Sequence, residues 1–234
     1  MDWWQYMSEI NLQELNMASV VFRLTLAMIF GGIVGFERGS KRRAAGFRTY
    51  MLVCVGSALV MITSQYISLN LPNPGDPSRL GAQVISGIGF LGAGTIIVTS
   101  YNQVKGLTTA AGLWASACLG LAIGIGFYGG AIVAGVIILF IITALQRIDN
   151  TLIANSRSIE LYVEFNEGER VSNLLTFASQ NSIRVLNVAF TRSKFNKADT
   201  HAALVSMRLP KRHPHNEIVE KFSEVEGVFY IEEI

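Results

Sequence analysis

Between residues 16 and 148 the chain carries five apolar stretches of about 20 residues, near 16–36, 49–69, 80–99, 108–127 and 129–148. About 20 such residues cross a hydrocarbon core about 30 Å thick as a helix. Without water to bond the backbone, each stretch must satisfy its own peptide groups, and a helix does so. The pattern predicts a membrane all-α bundle of five transmembrane helices. Only "GFYGG" separates the last two, which makes them antiparallel neighbours joined by a tight turn.

Charge is divided unevenly: residues 1–150 hold 15 charged side chains and residues 151–234 hold 21. The division predicts an N-terminal interfacial segment (1–15), the membrane domain (16–148), a linker (149–157) and a small water-exposed domain (158–234). The first segment is acidic and lacks Lys and Arg, unlike a cleaved secretory leader, so the first apolar stretch is expected to stay. Trp3, Trp4 and Tyr6 suit an interfacial anchor. The loop after the first stretch carries Arg38, Lys41, Arg42, Arg43 and Arg48; the second carries Asp76 and Arg79, the third Lys105, the fourth no charge. Short loops rich in Lys and Arg stay cytoplasmic. The N-terminus is therefore expected outside and the C-terminal domain inside.

"GIGFLG" at 87–92 matches the G-x-G-x-x-G dinucleotide fingerprint. That fingerprint needs a preceding strand, a helix opening on it and an acidic residue about 20 positions later. No Asp or Glu lies between Asp76 and Asp149, so the context fails. A net charge of +2, with the basic residues that do cluster lying in "ERGSKRRAAGFR" between two apolar stretches, gives no nucleic-acid footprint. Cys54 and Cys118 sit in apolar runs, where Cys behaves as a small hydrophobe. Neither a cofactor nor a metal is expected.

The glycines then read as packing positions. On a helix, Ala82, Ser86, Gly89 and Ala93 form one stripe, widened by Gln83, Gly87 and Gly94, with Gly92 nearby. Gly31 and Gly35, then Gly112, Ser116, Gly120 and Gly124, then Gly130 and Ala134, repeat the four-residue spacing. Small residues let membrane helices approach closely. The alternative is a third helix unwound near 87–94, offering backbone groups to a ligand.

Charge near a span is costly and points to function. Arg23 lies a third of the way along the first stretch, placed to snorkel or to pair with Asp76. Asp76 before Pro77 also fits a helix cap. Gln83 suits a buried hydrogen bond or a ligand.

The blocks "GGIVGFER", "AAGFRTYMLVCVGS", "DPSRLGAQVISGIGFLGAGTII" and "VKGLTTAAGLWASACLG" resemble the MgtC/SapB family of bacterial inner-membrane proteins over residues 18–145, with Phe47 where Leu is commoner and Gly81 where Ala is usual. The resemblance implies a polytopic protein, linked in some pathogenic members to survival in phagocytes and growth at low magnesium. For some members it implies binding and inhibition of the proton-translocating ATP synthase. The positions it carries over as functional are Glu37, Arg38, Arg48, Thr49, Asp76, Arg79, Gln83, Ser86, Thr108, Thr109 and Trp114.

Beyond residue 157 the periodicity changes to βαββαβ, the ferredoxin-like order of an α+β domain. It looks like an ACT-like module, which implies self-pairing and a small ligand. His213 and His215 flank Pro214, a pattern expected of a solvated loop rather than a metal site. With no nucleophile, metal or phosphate motif, the expectation is a non-enzymatic, homodimeric regulator of another membrane complex. The alternative is a transporter or channel for an ion or small solute, lined by Asp76, Arg79, Gln83, Thr108 and Thr109.

Overall fold

A computed structural model describes residues 12–41, 43–99, 103–145, 148, 156–166, 171–193, 201–211 and 215–234. The expected aromatic anchor at Trp3, Trp4 and Tyr6, most of the linker, and His213 with Pro214 lie outside the described residues. The chain divides into two compact units between Leu145 and Gln146.

The first unit begins with α1, Met17–Ser40. Asn16 accepts from the Ser19 amide at 2.8 Å while Ser19 Oγ accepts from the Asn16 amide at 3.0 Å, a reciprocal cap that fixes the start. α2 is Phe47–Asn70 and α3 is Ser78–Ala93. A two-stranded hairpin follows, β1 (Ile97–Val98) antiparallel to β2 (Val104–Lys105). α4 is Leu107–Gly124; α5 is Tyr128–Phe140 and continues as a π-helical turn, Ile141–Leu145.

Among the described residues four helices are long and apolar enough to cross a membrane: α1 and α2 with 24 residues each, and α4 and α5 with its π turn at 18 each. α3 has 16 residues, about 24 Å of helix. The stretch expected to be helical over 80–99 thus ends its helix earlier and turns into the hairpin. Gly92 and Gly94 weaken the helix there, and the run Thr95-Ile96-Ile97-Val98-Thr99 is β-branched throughout, which favours extended backbone. Helix persists through Ala93, so the unwinding left open at 87–94 does not occur. Gly106 closes the hairpin: its φ is +102°, and a Cβ there would lie 1.9 Å from the Thr95 carbonyl oxygen.

Contacts at the glycines give the helix directions. Gly31 meets Cys54 and Gly35 meets Phe47, so α1 and α2 are antiparallel. Gly112 meets Tyr50, Gly120 meets Cys54 and Gly124 meets Ala58, so α2 and α4 run parallel. α3 runs back beside them, antiparallel to both, with Gly81 against Met61 and Gly92 against Ala110. A Cβ on Gly120 would sit 2.2 Å from the Cys54 carbonyl oxygen, and one on Gly124 would sit 2.4 Å from that of Ala58. Such approach is the close packing by which helices associate in lipid. Ala27, Cys54, Ala58, Leu119, Ile123 and Ala131 fill the centre. Large apolar side chains cover the outside, among them Phe36, Leu52 and Phe90, as a bilayer requires.

The stripe assigned to packing in α3 faces the other way. Ala82, Gln83, Ser86, Gly87, Gly89 and Ala93 are exposed, and a Cβ on Gly87 or Gly89 would meet nothing within 4 Å. The buried face is Gly81, Ile88 and Gly92. Gly94 contacts only its own helix end, and Gly130 meets the Phe127 ring rather than another helix. Spacing defines a stripe without choosing which neighbour covers it.

The second unit has the order β3 (Ser158–Phe165), α6 (Val171–Gln180), β4 (Arg184–Arg192), β5 (His201–Arg208), α7 (His215–Ser223) and β6 (Val228–Glu233). The strands form one antiparallel sheet in the order β4-β5-β3-β6. Ile159, Leu161, Val163 and Phe165 alternate along β3 onto one face and join Leu174 and Ala178 of α6 and Ile218 and Phe222 of α7 in the core. Phe177 and Phe222 meet edge to face across the helices, ring centres 5.1 Å apart.

Candidate functional site

Most of the charged residues of the membrane unit and several of its polar ones form two clusters, one at each end. At the basic-loop end Arg38 is buried and lies beside the phenol of Tyr50, itself fully buried. Tyr50 Oη donates to the Thr109 carbonyl oxygen at 3.3 Å, fastening α2 to the first turn of α4. A Cβ on Gly112 would lie 2.5 Å from that phenolic oxygen, so Gly112 makes room for the bond. Glu37 pairs with Lys41 one turn on, at 2.5 Å. Arg48, Thr49 and Thr108 are exposed at the same end. Arg38, Tyr50 and Thr109 thus come together, and Tyr50 was missed because an aromatic in an apolar run reads as core.

At the opposite end Asp76, Arg79 and Gln83 line one cleft with Ser64 and Ile67 of α2. Asp76 accepts from the Ser78 amide at 2.8 Å and from Ser78 Oγ at 2.7 Å, a turn just before α3, whose N-cap position is Pro77 rather than the expected Asp76. Those two bonds hold its carboxyl below the usual carboxylate range. Ser64 Oγ donates to the Pro77 carbonyl oxygen and ties the end of α2 to the start of α3. Ser86 and Trp114 are exposed and belong to neither cluster.

Arg23 neither snorkels nor pairs with Asp76. It is fully buried and, among the described residues, its bonds go to neutral oxygens: Nε to Tyr128 Oη at 3.0 Å, Nη1 to Gln65 Oε1 at 2.6 Å and the Gly124 carbonyl at 2.9 Å, Nη2 to the carbonyls of Leu12 at 3.2 Å and Gln13 at 2.9 Å. Tyr128 Oη in turn donates to the Leu12 carbonyl at 2.7 Å. The guanidinium fork reaches carbonyls on several sides, which the sequence could not show because they belong to backbone.

In the second unit His215 is buried, contrary to a solvated loop, with Nδ1 against Glu233 Oε1 and Nε2 3.1 Å from the Ser156 carbonyl. Glu164 is also buried and accepts from Tyr162 Oη and from Ser193 Oγ, the latter at 2.7 Å. No group of three His, Cys, Asp or Glu placed to hold a metal occurs among the described residues.

The MgtC family model matches residues 24–151, more than half of the chain and nearly all of the membrane unit. The chain belongs to the MgtC family. Its relatives include YhiD of Escherichia coli strain K12, which carries the provisional name of a magnesium transporter and is 40% identical over 167 residues, 70% of this chain and 76% of YhiD. A protein of Haemophilus influenzae strain Rd is 35% identical over 173 residues, covering 71% of this chain and 73% of its own length. Protein MgtC of Salmonella typhimurium strain LT2 is 42% identical over 127 residues, 54% of this chain and 52% of MgtC. No solved structure matches the chain.

Proposed function

We propose that this MgtC-family membrane protein is a non-enzymatic regulator that acts through contact between α3 and another complex of the bacterial inner membrane. The carrying observation is the exposed face of Ala82, Ser86, Gly87, Gly89 and Ala93, with open space above its glycines. Gly31 and Gly35 of α1 and Gly112, Gly120 and Gly124 of α4 are covered by a neighbouring helix; on α3 the cover would come from a partner. The family resemblance makes the proton-translocating ATP synthase the partner to test.

Five crossings are supported by the parallel course of α2 and α4, since α3 and its exit must carry the chain back over the same thickness. With the basic loop cytoplasmic, the N-terminal segment lies outside and residues 158–234 inside. The sheet order β4-β5-β3-β6 supports a ferredoxin-like, ACT-like domain that tunes the membrane part. Its edge strand β4 exposes Leu186 and Phe190, which supports self-pairing as a homodimer; a small ligand of this domain is part of the same reading.

The rival reading is passage of an ion or solute, magnesium among them, favoured by the name given to YhiD and by the Asp76–Arg79–Gln83 cleft. Purified protein in liposomes separates the two. Regulation predicts no flux above empty vesicles for magnesium, other metal ions or protons; flux abolished by Gln83→Ala would contradict it.

A further inference from the structure

The cleft between the last turns of α2 and the first turns of α3 has a volume of about 260 Å³. Its rim carries charges of both signs. Asp76, whose carboxyl the two donors of Ser78 hold below its usual range, supplies the negative charge. Arg79 makes no ion pair among the described residues, and Gln83 lies one helical turn beyond it on the same face. The wall below is apolar, formed by Ile67 and Leu80. Ser64 and Ile67 lie six and three residues before the end of α2 at Asn70, about 9 and 4.5 Å along the axis. If α2, with 24 residues and so about 36 Å long, is centred on a hydrocarbon core about 30 Å thick, that depth falls close to the boundary with the headgroups.

The geometry points to a binding site for a zwitterionic phospholipid headgroup of the phosphoethanolamine type. The phosphate would take the Arg79 guanidinium and the Gln83 amide N–H, the primary ammonium would donate to Asp76, and the acyl stems would follow Ile67 and Leu80. A purely anionic headgroup would satisfy Arg79 and be repelled by Asp76; a bare cation would do the reverse. A water-soluble zwitterion shares the headgroup chemistry, but it would leave the apolar wall uncovered at a depth where lipid is at hand.

The test uses the full chain, delipidated in detergent and then offered equal amounts of phosphatidylethanolamine and phosphatidylglycerol, with bound lipid read by native mass spectrometry. The expected result is several-fold retention of phosphatidylethanolamine. Asp76→Asn, which keeps a side-chain acceptor for the Ser78 amide, should bring the two lipids to parity; Arg79→Gln should lower both. Soluble glycerophosphoethanolamine should fail to displace the lipid. Equal retention by the unmodified protein, an unchanged preference in Asp76→Asn with its fold intact by circular dichroism, or displacement by the soluble headgroup would each overturn the assignment.

Discussion

Arg23 shows how a charge inside a membrane bundle is met by neutral oxygens, with no counter-ion among the described residues. Its donors are matched by five oxygens from five residues, none of them a carboxylate. Leaving buried acceptors unmatched costs roughly 1–3 kcal/mol each, and Arg23→Met would leave several. We expect it to lower stability by about 3 kcal/mol or more, read as an earlier unfolding transition in detergent, with Arg23→Lys recovering only part because an ammonium has three donors. An unchanged transition in Arg23→Met would show that water or lipid meets those oxygens instead. The charge and its position were plain in the sequence. Its partners were not, because two are carbonyls of residues 12 and 13 that precede the helix, and one is the carbonyl of Gly124, a hundred residues away. Asp76 was legible by contrast, since its main partner, Ser78, is two residues on.

At the level of elements, helix existence followed from hydropathy, and the strands and helices of the second unit from periodicity. β3 occupies residues Ser158–Phe165, the span its alternation marks out. α3 is where that reading stopped short. Hydropathy continued through Thr99, but glycine and β-branched residues ended the helix at Ala93 and made a hairpin. Nor does spacing fix rotation about the helix axis, which here is set by Gly81 seating on Met61 and Gly92 on Ala110. The hairpin depends on Gly106, whose φ of +102° and approach to Thr95 leave no room for a side chain. Gly106→Ala should strain it by about 1–3 kcal/mol and open the turn. Faster hydrogen exchange at Thr99, whose amide bonds the Gln103 carbonyl at 2.9 Å, would report this; unchanged exchange would mean the loop relaxes without loss.

For the whole molecule, a closely packed membrane unit is joined in one chain to a separate α+β unit, and two polar clusters lie at opposite ends of the first. Between those ends, Gly120 and Gly124 bring α4 onto the backbone of α2. This arrangement suits a body that presents a face more than one that opens a path, and the face on offer is that of α3. Because nothing lies within 4 Å of a Cβ at Gly87 or Gly89, larger side chains there fill outside space and leave internal contacts alone. The decisive measurement is ATP-driven proton pumping by purified ATP synthase co-reconstituted with this protein. The wild type should slow pumping, and Gly87→Leu with Gly89→Leu should restore it while the unfolding transition stays unchanged. Pumping unaffected by the wild type, or slowed equally by the folded double variant, would contradict a regulator that works through α3.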